Sequence, residues 1–158
     1  MTPLDQQAKL AFRHFAHSVH IVTAVKNNGA RHAMTATSIT SLSMTPPSLL
    51  ICVNRQGGLH QAIEESGQFC VNTLNPTQQS LADDCAWGAE GEARFQQGEW
   101  LMRHDLPFLQ HAQTNIFCKA ESSLCYASHS IFIGRIIEIV IAPQLDPLMY
   151  LDGTYFVR

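Results

Sequence analysis

The sequence lacks the stretches that mark a membrane protein or a nucleic-acid-binding protein. No apolar run reaches the roughly 18 residues that a membrane-spanning helix needs. The formal net charge is −3 at pH 7, and lysine and arginine form no basic block that would attract a nucleic acid. The N-terminus has neither the basic start nor the apolar centre of a signal peptide. We therefore expect a cytoplasmic protein with no membrane and no nucleic-acid partner.

Paired cysteines are also missing. The five cysteines are odd in number, and no two of them have CxxC spacing. Cys52, Cys70 and Cys118 lie inside apolar runs, which is typical of buried free thiols in a reducing compartment. The sequence therefore predicts no disulfide framework.

The common catalytic and cofactor motifs are absent as well. There is no HExxH, GxSxG, GxGxxG or GK[ST] sequence, and no pair of acidic residues lies in an apolar run. His14, His17 and His20 are spaced three apart, but His20 belongs to the next predicted strand and no carboxylate lies nearby to orient the rings. We predict no metal site. What remains is a scaffold that could bind a cofactor with its own chemistry.

The composition is that of a globular domain on the apolar side. The chain has 158 residues, of which 46% are hydrophobic and 15% are charged. This length suits one domain, residues 1–158, with a sizeable core. The apolar excess suggests that a partner subunit covers part of the surface.

Residues 34–55, MTATSITSLSMTPPSLLICVNR, are the most unusual stretch. Seven hydroxyl side chains fall between Thr35 and Thr45, and a Pro46-Pro47 turn, an apolar run and the pair Asn54-Arg55 follow. This pattern fits a wall that hydrogen-bonds a large polar ligand. It fits equally well a Thr/Ser-rich β-hairpin with a solvated face.

Periodicity along the chain predicts a mainly β protein with a few short helices. Helical spacing indicates three helices, which cover residues 3–17, 59–66 and 78–86. Strand patterns, several of them joined by turn residues such as Asn27-Asn28-Gly29, recur at residues 19–25, 31–45, 49–53, 69–74, 114–124, 130–141 and 148–157. Such a set of strands with hairpin connections indicates a closed or nearly closed antiparallel barrel.

Residues 87–100 contain three glycines and three aromatic residues without a clear period. We predict a long loop here, and two interpretations stay open. The loop could be a lid with Arg94 and Phe95 at its tip, or a surface connector that its tryptophans pin to the body.

Six motifs resemble the short-chain flavin reductases almost from end to end. Residues 34–55 are similar to the family segment MTANSFTSVSLDPPLVLVCVDR, and FRHFAHSVHIVTA resembles its opening helix and first strand. SGQFCVNTL is similar to SGxFxVNxL, and ARFQQGEW resembles the RFAG…W loop. HSIFIGRIIEI and PLMYLDGTYFVR resemble the later motifs HxIFxGxV and PLxYxxGxY.

The resemblance implies a fold, an activity and partners. The fold would be the antiparallel split β-barrel with Greek-key connections that binds FMN, with a few short helices. The protein would be a homodimer that binds FMN or FAD and oxidises NADH or NADPH. It would supply the reduced flavin to a separate oxygenase component, often one that oxidises aromatic compounds.

The resemblance also implies which residues hold the flavin. The isoalloxazine ring would lie against Thr35, Ala36, Thr37 and Ser38. The ribityl chain and phosphate would lie nearer Ser41 and Ser43. The other edge of the flavin would be closed by Val53, Asn54 and Arg55.

Further positions follow from the same resemblance. The corner from Gly58 to His60 would help to hold the phosphate, and Phe95 with its loop would cover the cofactor. His129 would lie beside the nicotinamide and the flavin as the catalytic residue. Tyr155 would approach the flavin or the dimer interface.

The sequence departs from the family pattern at three places. Thr37 stands where asparagine is usual, Gly57-Gly58 replaces a corner that commonly contains serine, and Ala16-His17-Ser18 replaces a PTG-like turn. These changes predict a lower flavin affinity or a different choice between FMN and FAD. Two alternatives to a flavin-releasing reductase stay open. One is an enzyme that keeps its FMN and reduces ferric iron or a quinone, and the other is a non-catalytic flavin-binding protein.

Overall fold

The computed structural model describes residues 1–157. Arg158, the last residue of the predicted closing motif, lies outside the described residues. The helices are α1 (Pro3–Phe12), α2 (Gly58–Ser66) and α3 (Gln79–Asp83). The strands are β1 (His17–Ser18), β2 (His20–Val25), β3 (Arg31–Ala36), β4 (Ile39–Met44), β5 (Pro47–Asn54), β6 (Gln68–Thr73), β7 (Trp100–Arg103), β8 (Leu106–Leu109), β9 (Thr114–Tyr126), β10 (His129–Ile141), β11 (Met149–Leu151) and β12 (Thr154–Phe156).

Seven strands form one antiparallel sheet in the order β3-β2-β6-β9-β10-β5-β4. The two end strands, β3 and β4, follow each other in the chain, with only Thr37 and Ser38 between them. The sheet therefore curls until its two ends meet at this connection, but no ladder joins β3 to β4 in the described residues. The predicted mainly β, antiparallel fold with few helices is confirmed, whereas hydrogen bonds do not close the barrel.

Helix α2 packs against the sheet with its apolar face. Leu59, Ala62 and Ile63 are buried in the same core cluster as Phe69 and Phe132. Gly67 ends the helix in the left-handed conformation, with φ of 68°, and its N–H bonds to the carbonyl of Ile63. The predicted helix and its glycine stop are confirmed.

The first hairpin also forms as the sequence predicts. Strands β2 and β3 pair from His20 opposite Ala36 to Val25 opposite Arg31. Gly29 has φ of 86°, which glycine adopts without a side-chain clash. The long hairpin β9–β10 and the last hairpin β11–β12 are likewise present.

Helix α1 is shorter than the sequence predicts. It ends at Phe12 instead of near residue 17, because His17 and Ser18 pair with Tyr150 and Met149 as an additional strand. No residue of α1 is buried. This pairing with a distant segment overrides the helical spacing. None of the helices within residues 1–157 has the length and hydropathy to cross a membrane.

Residues 87–100 are not a simple loop. The segment Asp84–Gly88 makes a π-helical turn, and Gly91–Phe95 makes a short 3₁₀ helix. Phe95 is buried, and its ring lies 4.9 Å from that of Trp100 in an edge-to-face contact. Trp100 therefore anchors this segment to the core, as the second interpretation predicts.

His20 is a buried histidine whose protonation should destabilise the fold. Its Nε2 lies 2.9 Å from the Ser18 hydroxyl and its Nδ1 lies 3.0 Å from that of Thr73. Burial, with a smaller effect of His17, lowers the pKa of His20 to about 4. In the unfolded chain that pKa lies near 6.5. Below pH ~6.5 the unfolded chain therefore binds a proton that the native chain does not.

We expect the free energy of unfolding to fall as the pH is lowered from about 7 to about 4, and His20 to contribute about 3 kcal/mol of that loss. Urea denaturation at a series of pH values measures it. In His20→Gln the slope should be shallower, whereas the exposed His14→Ala should keep the parent slope. Equal slopes in all three proteins would contradict the assignment.

Candidate functional site

A cavity of about 630 Å³ lies where the curled sheet meets the segment after α3 and the last hairpin. One wall is the end of β3 and the residue that follows it, namely Met34, Thr35, Ala36 and Thr37. Its volume lies in the range of 300–1,000 Å³ that is usual for small-molecule and cofactor sites. Asn54 and Gly57 reach the same cavity from the end of β5.

The opposite walls come from distant parts of the chain. The last residue of α3, Asp83, lines the cavity together with Cys85, Trp87 and Arg94 of the segment that follows. The last hairpin contributes Tyr150, Gly153 and Tyr155. Asp83, Cys85, Trp87 and Tyr150 are not among the site residues predicted from the sequence, because nothing in their spacing shows that the fold brings them beside residues 35–38.

A second cavity of about 490 Å³ adjoins the first. Its lining includes Phe12, Phe15 and His17, and it shares Thr37, Tyr150 and Gly153 with the first cavity. The two cavities therefore meet at these three residues. The arrangement offers room for two ring systems that contact each other.

The connection between β3 and β4 presents hydrogen-bond donors at this meeting point. The carbonyl of Thr37 accepts from the N–H of Ile39 at 3.0 Å, and the carbonyl of Ser38 accepts from that of Cys52 at 3.1 Å. Within residues 1–157, no acceptor is found for the N–H groups of Thr37 and Ser38. Free backbone donors beside a cavity suit a ligand that carries carbonyl or imide oxygens.

Arg94 ties the wall after α3 to β3. Its Nε donates to the carbonyl of Ala89 at 2.7 Å, and its Nη1 donates to the carbonyl of Ala33. Within the described residues, Arg94 is the one lysine or arginine that lines the larger cavity. It therefore holds the wall in place and also brings a positive charge to the site.

A hydrogen bond joins two walls of the larger cavity. The hydroxyl of Tyr155 donates to Oδ1 of Asp83 at 3.0 Å. Burial, together with Asp83, raises the pKa of Tyr155 to about 12, so this phenol stays protonated. Burial likewise raises the pKa of the Cys85 thiol to about 11. Cys85 is therefore an uncharged lining residue of the cavity and not a nucleophile.

The end of β5 lies beside the turn between β9 and β10. His129 pairs with Asn54 across β10 and β5, and directly opposite residues place their side chains on the same face of a sheet. The N–H of Arg55 donates to the carbonyl of Ser128 at 2.9 Å, and Nδ1 of His129 lies 2.9 Å from the Ser128 hydroxyl. The structure thus brings together three of the predicted residues, with the exposed His129 next to the cavity-lining Asn54.

The family model described as a flavin reductase like domain matches residues 12–157. This chain belongs to the flavin reductase family. It is 35% identical over 155 residues to the reductase component of an FADH(2)-dependent resorcinol hydroxylase of Rhizobium sp. (strain MTP-10005), across 96% of this chain and 86% of the relative. It is 31% identical over 158 residues to an FMN reductase (NADH) of Pseudomonas syringae pv. syringae (strain B728a), across 97% of this chain and 88% of the relative.

The fold of this flavin reductase is similar to that of solved relatives. An NADH:FAD oxidoreductase of Streptomyces globisporus, solved in complex with NAD and FAD fragments, superposes with a TM-score of 0.89 at 26% identity. The match covers 99% of this chain and 94% of that chain.

The larger cavity of this flavin reductase fits a flavin. Thr35, Ala36, Thr37, Asn54 and Tyr155, all predicted from the sequence, line the cavity. The free donors at the connection between β3 and β4 suit the pyrimidine edge of the ring. Thr35 differs in detail, because its hydroxyl donates to the carbonyl of Ala82 at 2.6 Å and is not free for a ligand.

The burial of two residues of this flavin reductase contradicts the roles predicted for them. His60 lies on the buried face of α2, with Nε2 2.8 Å from the Ser130 hydroxyl and its ring against Phe132, so its side chain is not available to a phosphate. Phe95 is 7% exposed and packs in the core, so its ring is not the tip of a lid. Arg94, its neighbour, is the residue of this pair that reaches the cavity.

Other predicted residues lie outside both cavities. Val53 is fully buried in the core, and Gly58 packs so closely on the His32 ring that a Cβ would lie 2.5 Å from it. Ser41 and Ser43 are on the edge strand β4, where the Ser43 hydroxyl donates to the carbonyl of Thr45 at 3.2 Å. Residues 1–157 contain no group of three or more His, Cys, Asp or Glu side chains arranged to hold a metal ion.

Proposed function

We propose that this protein is an NAD(P)H:flavin oxidoreductase that reduces FMN or FAD and supplies the reduced flavin to a separate monooxygenase. The observation that carries the proposal is the meeting of the two cavities at Thr37, Tyr150 and Gly153. Hydride transfer requires two rings in near contact, and this junction provides space for both. The names of the relatives, an NADH-dependent FMN reductase and the reductase component of a hydroxylase, support NADH as donor and an oxygenase as recipient.

The residues of the site position and shield the rings. When bound, the flavin would accept hydride from the nicotinamide and so supply the redox chemistry. The N–H groups of Thr37 and Ser38 would donate to the carbonyl edge of the flavin, where negative charge develops. Arg94 adds a fixed positive charge to the same cavity. Val19, which is buried, and the half-buried Tyr150 exclude water from the floor.

The phosphate would be held less firmly than the ring. Gly57 caps α2 without a side-chain hydrogen bond, which leaves the N-terminus of this helix open to an anion. The Arg55 side chain is exposed and bonds only weakly to the carbonyl of Ala127, at 3.4 Å, so it can turn toward a phosphate. Few fixed contacts suit a flavin that must leave the enzyme after reduction.

We further propose that residues 1–158 form one domain, and that two copies associate in the cytoplasm. Exposed apolar side chains on three elements support a second copy. They are Leu10 and Phe12 on α1, Leu42 on β4, and Leu124 and Tyr126 at the far end of β9. The five free cysteines support a reducing compartment.

Steady-state assays with added flavin test the proposed activity. We expect NADH or NADPH oxidation by the dialysed protein to require added flavin and to be supported by FMN, FAD or both, with riboflavin as the comparison that lacks a phosphate. A colourless protein after dialysis supports release of the flavin. A protein that stays yellow after extensive dialysis supports the alternative that FMN is retained. Absence of flavin-dependent NAD(P)H oxidation would contradict the proposal.

A further inference from the structure

Trp87 occupies an unusual position for a tryptophan. It lines the larger cavity, yet 85% of its surface is exposed. The other tryptophan, Trp100, packs against Phe95, and its Nε1 donates to the carbonyl of Gln97 at 2.8 Å. An indole that remains in water at the rim of a binding cavity is a ready contact for a ligand.

The backbone at Trp87 is fixed although its side chain is free. Trp87 lies in the π-helical turn Asp84–Gly88, and the N–H of Ala89 closes this turn by donating to the carbonyl of Asp84 at 3.0 Å. Arg94 donates to the carbonyl of Ala89 and so ties the end of the turn to β3. The indole is thus held at the rim by its backbone, which lowers the entropy cost of a contact with a ligand.

The other aromatic residues of this cavity are already paired. The rings of Tyr150 and Tyr155 lie 5.2 Å apart in an edge-to-face contact, and the Tyr155 hydroxyl is bound to Asp83. Within residues 1–157, no aromatic partner is found for Trp87. Trp87 is therefore the aromatic face of the cavity that remains available for stacking.

We propose that Trp87 is a specificity-determining residue that stacks on a planar heteroaromatic ring of the ligand at the rim of the cavity. This inference rests on the proposed function. Isoalloxazine, adenine and nicotinamide rings all present the required π face, and the experiment distinguishes among them. Because the indole is uncharged, its contribution to the binding free energy should change little with salt concentration. A contact between a charged side chain and the phosphate would instead weaken as salt is added.

The test compares Trp87→Leu, which keeps an apolar side chain, with Trp87→Phe, which keeps an aromatic face. Loss of stacking should weaken binding of the stacked ligand about two- to twelve-fold in Trp87→Leu, and Trp87→Phe should restore most of it. Weaker binding of both FMN and FAD identifies the isoalloxazine ring. Weaker binding of FAD alone identifies its adenine. A higher KM for NADH with unchanged flavin binding identifies the nicotinamide dinucleotide.

Leu145→Ser is the matched control, because Leu145 is 74% exposed and lines neither cavity. It should bind all ligands as the parent does. Unchanged flavin binding and an unchanged KM for NADH in Trp87→Leu would overturn the inference and leave the proposed function intact. Sedimentation of the same variants provides a second check. Dissociation of a dimer in Trp87→Leu, with ligand affinity following subunit concentration, would assign the indole to a second copy and also overturn the inference.

Discussion

Replacing His129 by alanine is expected to lower kcat/KM for NADH by about 10- to 100-fold while the Kd for flavin changes less than about threefold. His129 begins β10 directly opposite the cavity-lining Asn54, and its Nδ1 lies 2.9 Å from the Ser128 hydroxyl. This contact orients the ring and leaves Nε2 free to contact a substrate. We expect the imidazole to position the nicotinamide and not to hold the flavin. Stopped-flow reduction of the flavin-loaded protein measures the effect without interference from product release.

Two further variants show whether the loss is specific to His129. His14→Ala removes another exposed histidine that lines neither cavity, so it should reduce flavin at the parent rate. Ser128→Ala removes the hydroxyl beside Nδ1 but keeps the imidazole, so it should lie between His129→Ala and the parent. If His129→Ala lost flavin affinity and reduction rate to the same extent, His129 would belong to the flavin site and not to the nicotinamide site.

The parts of the fold that the sequence predicts are those with a local physical cause. The hairpin at Asn27-Asn28-Gly29 follows from a glycine that takes a positive φ, and the end of α2 follows from Gly67 in the same way. Helix α1 shows the opposite case. Its spacing continues past Phe12, but the pairing of His17 with Tyr150, far along the chain, decides where it ends.

The sequence predicts only one wall of the candidate site, because the facing wall depends on contacts between distant segments. The hydroxyl-rich stretch around Thr37 does provide one wall, but it is divided between β3 and β4 at opposite ends of the sheet. The facing wall at Asp83 and Trp87 is placed by long-range packing, which leaves no spacing signal. The resemblance predicts His60 as a site residue, and the loop composition together with the resemblance predicts Phe95. Neither signal reveals that packing turns these side chains into the core.

Gly134 is the position where we expect the largest effect on stability. Its backbone lies against the Phe69 ring in the core, and a Cβ at Gly134 would overlap that ring and lie 2.9 Å from the Cβ of Cys118. Phe69 and Cys118 are both fully buried, so neither can move aside without disturbing the strands that carry them. Gly134→Ala should lower the free energy of unfolding by about 3 kcal/mol or more. For a domain of this size, that corresponds to a Tm lower by about 6–12 °C at fixed protein concentration.

Comparison with Gly29→Ala separates lack of space from backbone strain. A Cβ at Gly29 would meet no heavy atom within 4 Å, but the residue has φ of 86°, so alanine there should cost only about 1 kcal/mol.

Phe69→Leu shortens the side chain that a Cβ at Gly134 would meet. The double variant Gly134→Ala/Phe69→Leu should therefore lose clearly less stability than the sum of the two single variants, because the cavity left by one substitution accommodates the methyl group of the other. Strict additivity would show that the cost at Gly134 does not arise from the Phe69 ring, and would assign it to the contact with Cys118 or to the β-bulge between Ile133 and Gly134.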